Sequence, residues 1–593
     1  MKTKLFKRCP KSNKIVGINV KSNWFKLLFP IIGLFALVWF LIRVIPKPSR
    51  ASYPCQQVAA PIAAGFLSFL ASITGITFIY RIIKSKKSAR AIATGAASAI
   101  ALCVTVFLIV PASFTGCGNT AETPPVAATI APSGPSEEGA EKPTEWTYEN
   151  ITEYYQIAQG VGINPGRVVF TRNENGSNFD AEGKDGSWRN DNPWWSDENT
   201  NPDEVKKMFD ESLCKLTGED TVEAAWSALF KNFNGGADYK KGEKFVIKPN
   251  FNSDGWNADN DGYNDCLTPS PQLLEAIASS LINVVGADAS DITITDPSRS
   301  NSGPGTPGMG QKFFDRFEEN EDEALRNVNL ANDPEPDYDA PINFADGAVG
   351  YVAKEYSEAK YLINVALFSP HNAFGFTFCG KNNYGSVWFD YDVMDPKGEA
   401  PDYYRLDIGG CFAPIPMHGG WLNGYGGYSY IAELTASKEL GGKTLLYMVD
   451  AMYTRYHQGD PSTDQRGKSI PNTRKMVTFG DDYPQALFMS QDPVAIDSVA
   501  ADFLRAEQKV NDLFCPEKLE NYDPTMVAIT IPDNYLVEAS FADNPPSNTK
   551  YDPDGTGNVK SLGAYERWNN DNDKQYSRNL GLNYGIELVT VTQ

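Results

Sequence analysis

The sequence predicts an α/β domain with a mostly parallel sheet and helices on both faces, preceded by three transmembrane helices. Three observations carry that expectation. Short apolar runs alternate with helical repeats over the last 450 residues. Each run ends in polar or turn-forming residues. Three long apolar stretches with almost no charge come before them.

The first stretch, Leu27 to Ile45, is broken only by Arg43. The second, Val58 to Tyr80, and the third, Ala91 to Phe114, carry no charged residue. A bilayer core needs roughly 20 such residues in a helix, so all three read as spans. Basic residues set the orientation. Lys2, Lys4, Lys7, Arg8, Lys11, Lys14, Lys21 and Lys26 precede the first span, and Arg81, Lys84, Lys86, Lys87 and Arg90 separate the second from the third. The excess of Lys and Arg marks the cytoplasmic side. The N-terminus is therefore expected inside and everything after residue 115 outside. A competing reading treats Phe114-Thr115-Gly116-Cys117 as a lipoprotein-type signal with lipidation at Cys117, although Phe114 departs from the usual Leu.

The expected organisation is a membrane anchor at 1–115, a flexible linker at 116–145 and an extracytoplasmic domain at 146–593. The linker is rich in Pro, Ala, Ser, Thr, Gly and Glu and has no hydrophobic period. Charge divides the same way. About 17 Lys and Arg face about four acids before residue 145, so the total of −21 leaves roughly −34 on the remainder. So acidic a domain repels phosphate backbones, and no nucleic-acid partner is expected. The partners implied are the lipid bilayer and a small-molecule ligand.

Within the domain, Lys244–Lys248 reads as a strand ending at Pro249. Pro271 to Val285 puts Leu273, Leu274, Ile277, Leu281, Ile282 and Val285 on one helical face, with Gly286 as the stop. Asp291–Thr295 is the next strand, completing a β-α-β unit. Further strands are expected at Tyr361–Leu367, Thr444–Val449 and Ala486–Met489. Asp492-Pro493 then reads as an N-cap with proline at the first helical position. Residues 146–240 show weaker periodicity and read as an elaboration of the domain.

Ligands of open α/β sheets sit beyond the carboxyl ends of the strands, and polar residues gather there. Lys248 and Asn250 end the first strand and Asp296 the second. His371 and Lys381-Asn382 follow the third, and Asp450 ends the fourth. The lysines with Asn250 and Asn382 suit a small carboxylate or phosphate, and Asp296 is a further ligand-binding candidate. His371, Lys381 and Lys248 are the catalytic candidates. The chain has three histidines, all in expected loops. His371, His418 and His457 with Asp450 and Asp492 form a candidate set for a divalent metal, the one cofactor suggested. No Cys-x-x-Cys pair occurs among the nine cysteines, so no iron–sulfur cluster is expected. Asn257–Gly262 and Asp552–Gly555 resemble the opening of calcium loops but also suit plain turns. Trp188, Trp194, Trp195 and Trp256 suit either sugar stacking or a core.

These motifs resemble an uncharacterised family, domain of unknown function 362. Phe245-Val-Ile-Lys248-Pro249-Asn250 is similar to its opening strand and turn. Tyr361 to Val365, His371, Gly380-Lys381-Asn382 and Gly385 resemble its central block, with Ser369 where a Lys is usual and Ala366 where a Pro is usual. Leu445 to Asp450 resembles a further segment, and Asp492-Pro493-Val494-Ala495-Ile496-Asp497 its most specific signature. The resemblance spans roughly 240–505. It implies the α/β fold but no agreed reaction. The expectation is an enzyme acting on a small anionic ligand, metal-assisted if the histidines converge; the alternative is a non-catalytic ligand- or carbohydrate-binding surface module.

Overall fold

Lys248 lies at the end of a central strand in an eight-stranded sheet, and the chain builds that sheet from both ends of the domain. The structure is a computed structural model. It describes 6–8, 15–18, 141–180, 193–251, 267–299, 311–331, 334–371, 375–389, 425–455, 473–511 and 533–593. Near the N-terminus, β1 (Phe6–Arg8) pairs antiparallel with β2 (Ile15–Ile18). The three apolar stretches and the linker up to residue 140 lie outside the described residues. Among the described residues no helix is long and apolar enough to cross a membrane.

The second unit opens with α1 (Tyr148–Tyr154), β3 (Arg167–Arg172), α2 (Pro202–Thr217) and α3 (Val222–Phe233). Their boundaries follow from caps. The Asn201 side chain accepts from the amides of Asp203 and Glu204 ahead of Pro202, and Gly218 closes α2 in the left-handed region at φ 84°. Then come β4 (Phe245–Pro249), α4 (Pro271–Ser280), β5 (Ile292–Ile294), α5 (Gln311–Glu318) and β6 (Asn329–Leu330). The expected helix from Pro271 is present. Its last part, Leu281–Val285, winds as a π turn that Gly286 ends.

A small antiparallel sheet follows, from β7 (Pro336–Asn343), β8 (Val349–Ala353) and, later, β12 (Val387–Phe389). Between its members run β9 (Tyr361–Leu367), the hairpin β10 (Ser369–His371) and β11 (Gly375–Thr377), and the single turn α6 (Cys379–Asn382). The chain closes with α7 (Tyr430–Ala436), β13 (Thr444–Ala451), β14 (Ala486–Ser490), α8 (Pro493–Val510), α9 (Asn534–Ser540) and β15 (Glu587–Thr592).

The large sheet has the order β15-β3-β14-β13-β9-β4-β5-β6. Every neighbouring pair is parallel except the two that involve β14. The mostly parallel sheet is therefore present, with one reversed strand. Apolar side chains alternate between its faces. Phe245, Ile247, Ile363, Val365, Leu446 and Met448 pack with α2, α3 and α4. Val246, Leu362, Ala366, Tyr447, Val449 and Phe488 pack with α7, α8, α9 and the small sheet. Both faces are covered, as buried parallel strands require.

Candidate functional site

The winding of the sheet reverses between β4 and β9. From β4 the chain steps through α4 to β5 and on to β6. It then returns to β9, on the other side of β4, and steps away through β13. Two neighbouring strands whose connections leave in opposite directions open a crevice at their carboxyl ends, where open α/β sheets bind ligands. Here those ends carry Lys248-Pro249-Asn250 and, just past Leu367, Ser369 and His371.

Lys248 is 2 % exposed, and its ammonium has at least three acceptors among the described residues. Asp296 Oδ1, Asn382 Oδ1 and the Pro249 carbonyl each lie at 2.9 Å. An ammonium has three N–H groups, so Lys248 is matched by protein groups rather than held open for an anion. Asp296 is equally engaged. Its Oδ1 also accepts from the Ser298 hydroxyl at 2.7 Å, and its Oδ2 from the Phe251 amide at 2.8 Å. Gly385 seals the pair. A Cβ there would lie 2.9 Å from both Asp296 Oδ1 and Lys248 Nζ, so the loop backbone rests directly on the ion pair and keeps water away.

A chain of amides extends from the ammonium. Asn382 Nδ2 donates to Asn364 Oδ1 at 2.9 Å and to the Lys248 carbonyl at 3.2 Å. Asn364 Nδ2 donates to Asn383 Oδ1 at 2.9 Å and to the Cys379 carbonyl at 3.0 Å. Asn364 lies in mid-strand on β9, opposite Lys248 in the register. In an apolar run such as Tyr361–Leu367 it offers no sequence signal of a site. Asn383 and Ser298 were likewise outside the expected set, and Gly385 stood only in the family-like block, without a role.

The turn that carries Lys381 and Asn382 is pinned from α8. Asp497 accepts from the Cys379 amide at 2.9 Å, the Gly380 amide at 2.8 Å and the Tyr535 hydroxyl at 2.6 Å. Burial pushes its carboxyl up to about 7, against the pull of those donors. Burial also holds the Cys379 thiol well above its ordinary value. The last acid of the Asp-Pro-Val-Ala-Ile-Asp segment thus holds the Lys381 turn by its backbone amides.

The remaining expected residues divide. Asn250 is buried just past the end of β4, His371 in β10 and Lys381 in α6 beside Asn382. Asp450 ends β13 on the same rim, but its carboxylate is occupied. It accepts from the Ser270 amide and hydroxyl at 2.7 and 2.8 Å and from the Met452 amide at 2.8 Å. Burial raises its carboxyl. Ser270 consequently spends its side chain on Asp450 instead of capping α4.

Asp492 lies elsewhere. Because β14 runs against its neighbours, its carboxyl end is at the opposite rim, where Ser490 pairs with Tyr447 and Val168. There Asp492 caps α8 through the amides of Val494 and Ala495 and also accepts from Val161 and Ala564. Burial sets its carboxyl at about 6. Asp492 is not brought together with Lys248, Asp296 and Asp450. The metal candidates His418 and His457 lie outside the described residues. Among the described residues no group of three or more His, Cys, Asp or Glu is placed to hold a metal ion.

Two smaller expectations resolve into structure. The Asp552 carboxylate accepts from the Thr556 and Gly557 amides, both at 2.8 Å, and pairs with Lys550, so this loop is a self-satisfied turn. Trp194 and Trp195 are core residues, the first wholly buried. Asn257–Gly262, Trp188 and Trp256 lie outside the described residues.

No curated protein and no solved structure matches the chain. Residues 245–502 match the model of the family described as domain of unknown function (DUF362), so the segment from β4 into α8 that builds the Lys248–Asp296 cluster is the part of the chain similar to that family.

Proposed function

We propose that residues 146–593 form a membrane-tethered, extracytoplasmic domain that binds a small anionic ligand over the ends of β4 and β9 and acts on it as an enzyme. One observation carries the reading: the buried Lys248–Asp296 pair and its amide chain lie where the winding of the sheet reverses. Buried ionic groups are costly unless fully partnered, and here both charges are partnered, at the ends of β4 and β5.

In this reading Lys248 is not the ligand-facing cation. It organises Asn382, and through it the turn that presents Lys381. Lys381 supplies the positive charge for the anion, and His371, in the hairpin after β9, supplies the proton carrier. The tether rests on the uncharged runs Val58–Tyr80 and Ala91–Phe114 and on the basic residues that flank them.

The test is thermal melting of the full-length chain in detergent, titrated with inorganic phosphate and with malonate. Saturable stabilisation is expected, worth about 2.7 kcal/mol at 100 times Kd. Lys381→Met is expected to abolish it, whereas Lys438→Met, on an exposed loop, keeps it. A melting temperature indifferent to both anions, or an equal response in Lys381→Met, overturns the reading.

A further inference from the structure

The amide chain at the crevice has a direction, and the direction is set by Lys248. An ammonium only donates, so the Asn382 side chain must turn its oxygen to Nζ. Its NH2 group then faces Asn364, which must present an oxygen. The NH2 of Asn364 in turn fixes the oxygen of Asn383 toward it. The orientation of an asparagine amide is ordinarily ambiguous; here three in succession are fixed by one charge.

The chain ends on an NH2 group that finds no acceptor among the described residues. Asn383 is 1 % exposed, and its Nδ2 has no hydrogen-bond partner among the described residues. The other two amides in the chain each use both N–H groups on protein oxygens. A buried donor left unmade costs about 1–3 kcal/mol. Rotating the amide would not remove the cost, because it would set the NH2 groups of Asn364 and Asn383 against each other. Hydrogen bonds in series also polarise one another, so the ammonium at the head makes the terminal N–H a better donor.

We propose that Asn383 Nδ2 is a ligand-binding donor, taking an oxygen of the carboxylate or phosphate that the crevice receives. This rests on the anion-binding reading above and adds to it a residue and a polarity. The end of the chain offers hydrogen and accepts none, so it selects an oxygen acceptor over an amine or a hydroxyl hydrogen. Gly385, two residues on, packs on the ion pair at the head of the chain, so the head is closed to a ligand.

The experiment uses full-length protein and the same two probes, inorganic phosphate and malonate, which separate the phosphate and carboxylate sources. Asn383→Asp keeps an oxygen for Asn364 and replaces the donor with a second acceptor. Asn383→Ala removes the side chain. Both are expected to weaken the stabilising anion at least about tenfold, as the loss of one hydrogen bond to a charged group implies. If wild type responds, Lys381→Met does not, and both Asn383 variants titrate like wild type, this inference falls alone. If wild type responds to neither anion, the anion site falls and this donor with it. Should neither variant melt cooperatively, a crystal of the wild type grown with the responding anion decides. A ligand oxygen within about 3.2 Å of Nδ2 supports the proposal, and a water bridging Nδ2 to protein overturns it.

Discussion

Lys248 Nζ and Asp296 Oδ1 meet at 2.9 Å with side chains only 2 % and 1 % exposed, one from the end of β4 and the other just past its neighbour β5. The pair locks the carboxyl ends of two adjacent strands together, and Asn382 ties the pair to β9 through Asn364. Removing one partner strands the other charge in the interior. Lys248→Met is expected to cost about 3–5 kcal/mol in urea unfolding. The double variant Lys248→Met/Asp296→Leu is expected to cost much less than the two singles combined. Strict additivity would show that the two charges do not depend on each other.

Gly385 presses on the same pair. In Gly385→Ala the new methyl would lie 2.9 Å from Asp296 Oδ1 and Lys248 Nζ and 3.0 Å from Ser298 Oγ, and buried groups this tightly bonded have little room to yield. A loss of about 1–3 kcal/mol is expected. Gly385 lies outside the left-handed region, so its loss reports the contact rather than backbone strain, and a loss under about 0.5 kcal/mol would discount the contact.

Two buried acids respond to pH in opposite senses. Burial alone would raise Asp533, but the guanidinium groups of Arg505 and Arg567 outweigh it and hold the carboxyl well below its usual value. Its contribution is therefore complete above the unfolded value near 4 and is lost as pH falls below it. Asp497, raised by burial to about 7, binds its proton more tightly folded than unfolded, so its contribution is lost as pH rises from about 4 to 7. In melts from pH 3 to 8, Asp533→Asn should flatten the acid limb and Asp497→Asn the fall toward neutrality. An unchanged acid limb in Asp533→Asn would remove that residue from the account.

Cys379 and Cys214 should part in reactivity. Cys379 is fully buried and its thiol is raised far by desolvation, while Cys214 is only partly buried on α2, its thiol raised by desolvation as well. A thiol must ionise and be reached to react. Peptide mapping after maleimide treatment should find Cys214 modified under native conditions and Cys379 only after unfolding. A membrane-impermeant maleimide applied to intact spheroplasts also tests the orientation. Cys214 labelled without lysis agrees with an exterior domain, and labelling only after lysis reverses it.

The central strands were legible because each is an apolar run closed by a polar or turn residue, as at Ile247-Lys248-Pro249 and Val449-Asp450. The reversal of β14 was not, since Ala486–Ser490 is as apolar as its parallel neighbours and direction depends on how the chain returns after β13. That hidden reversal is why Asp492, placed on the rim from its motif, stands at the other end. β3 and β15 escaped notice because Arg167 and Glu587, paired at 2.8 Å, begin strands that lie 420 positions apart and outside the strongest motifs. The site was half legible. Lys248, Asp296 and Asn382 are polar residues at strand or loop ends, whereas Asn364 lies within a buried run and shows its role only through its neighbours.

The distant pairing of β3 with β15 also bears on how the molecule comes together. Until the final strand docks, β3 presents a bare row of backbone groups to its surroundings, and the interval spans nearly the whole second unit. Such late, non-local closure slows folding and leaves a template for misassociation. Trimming the protein to its family-matching segment would make that transient hazard permanent one strand further in: β14 would lose β3 and become the margin of the sheet.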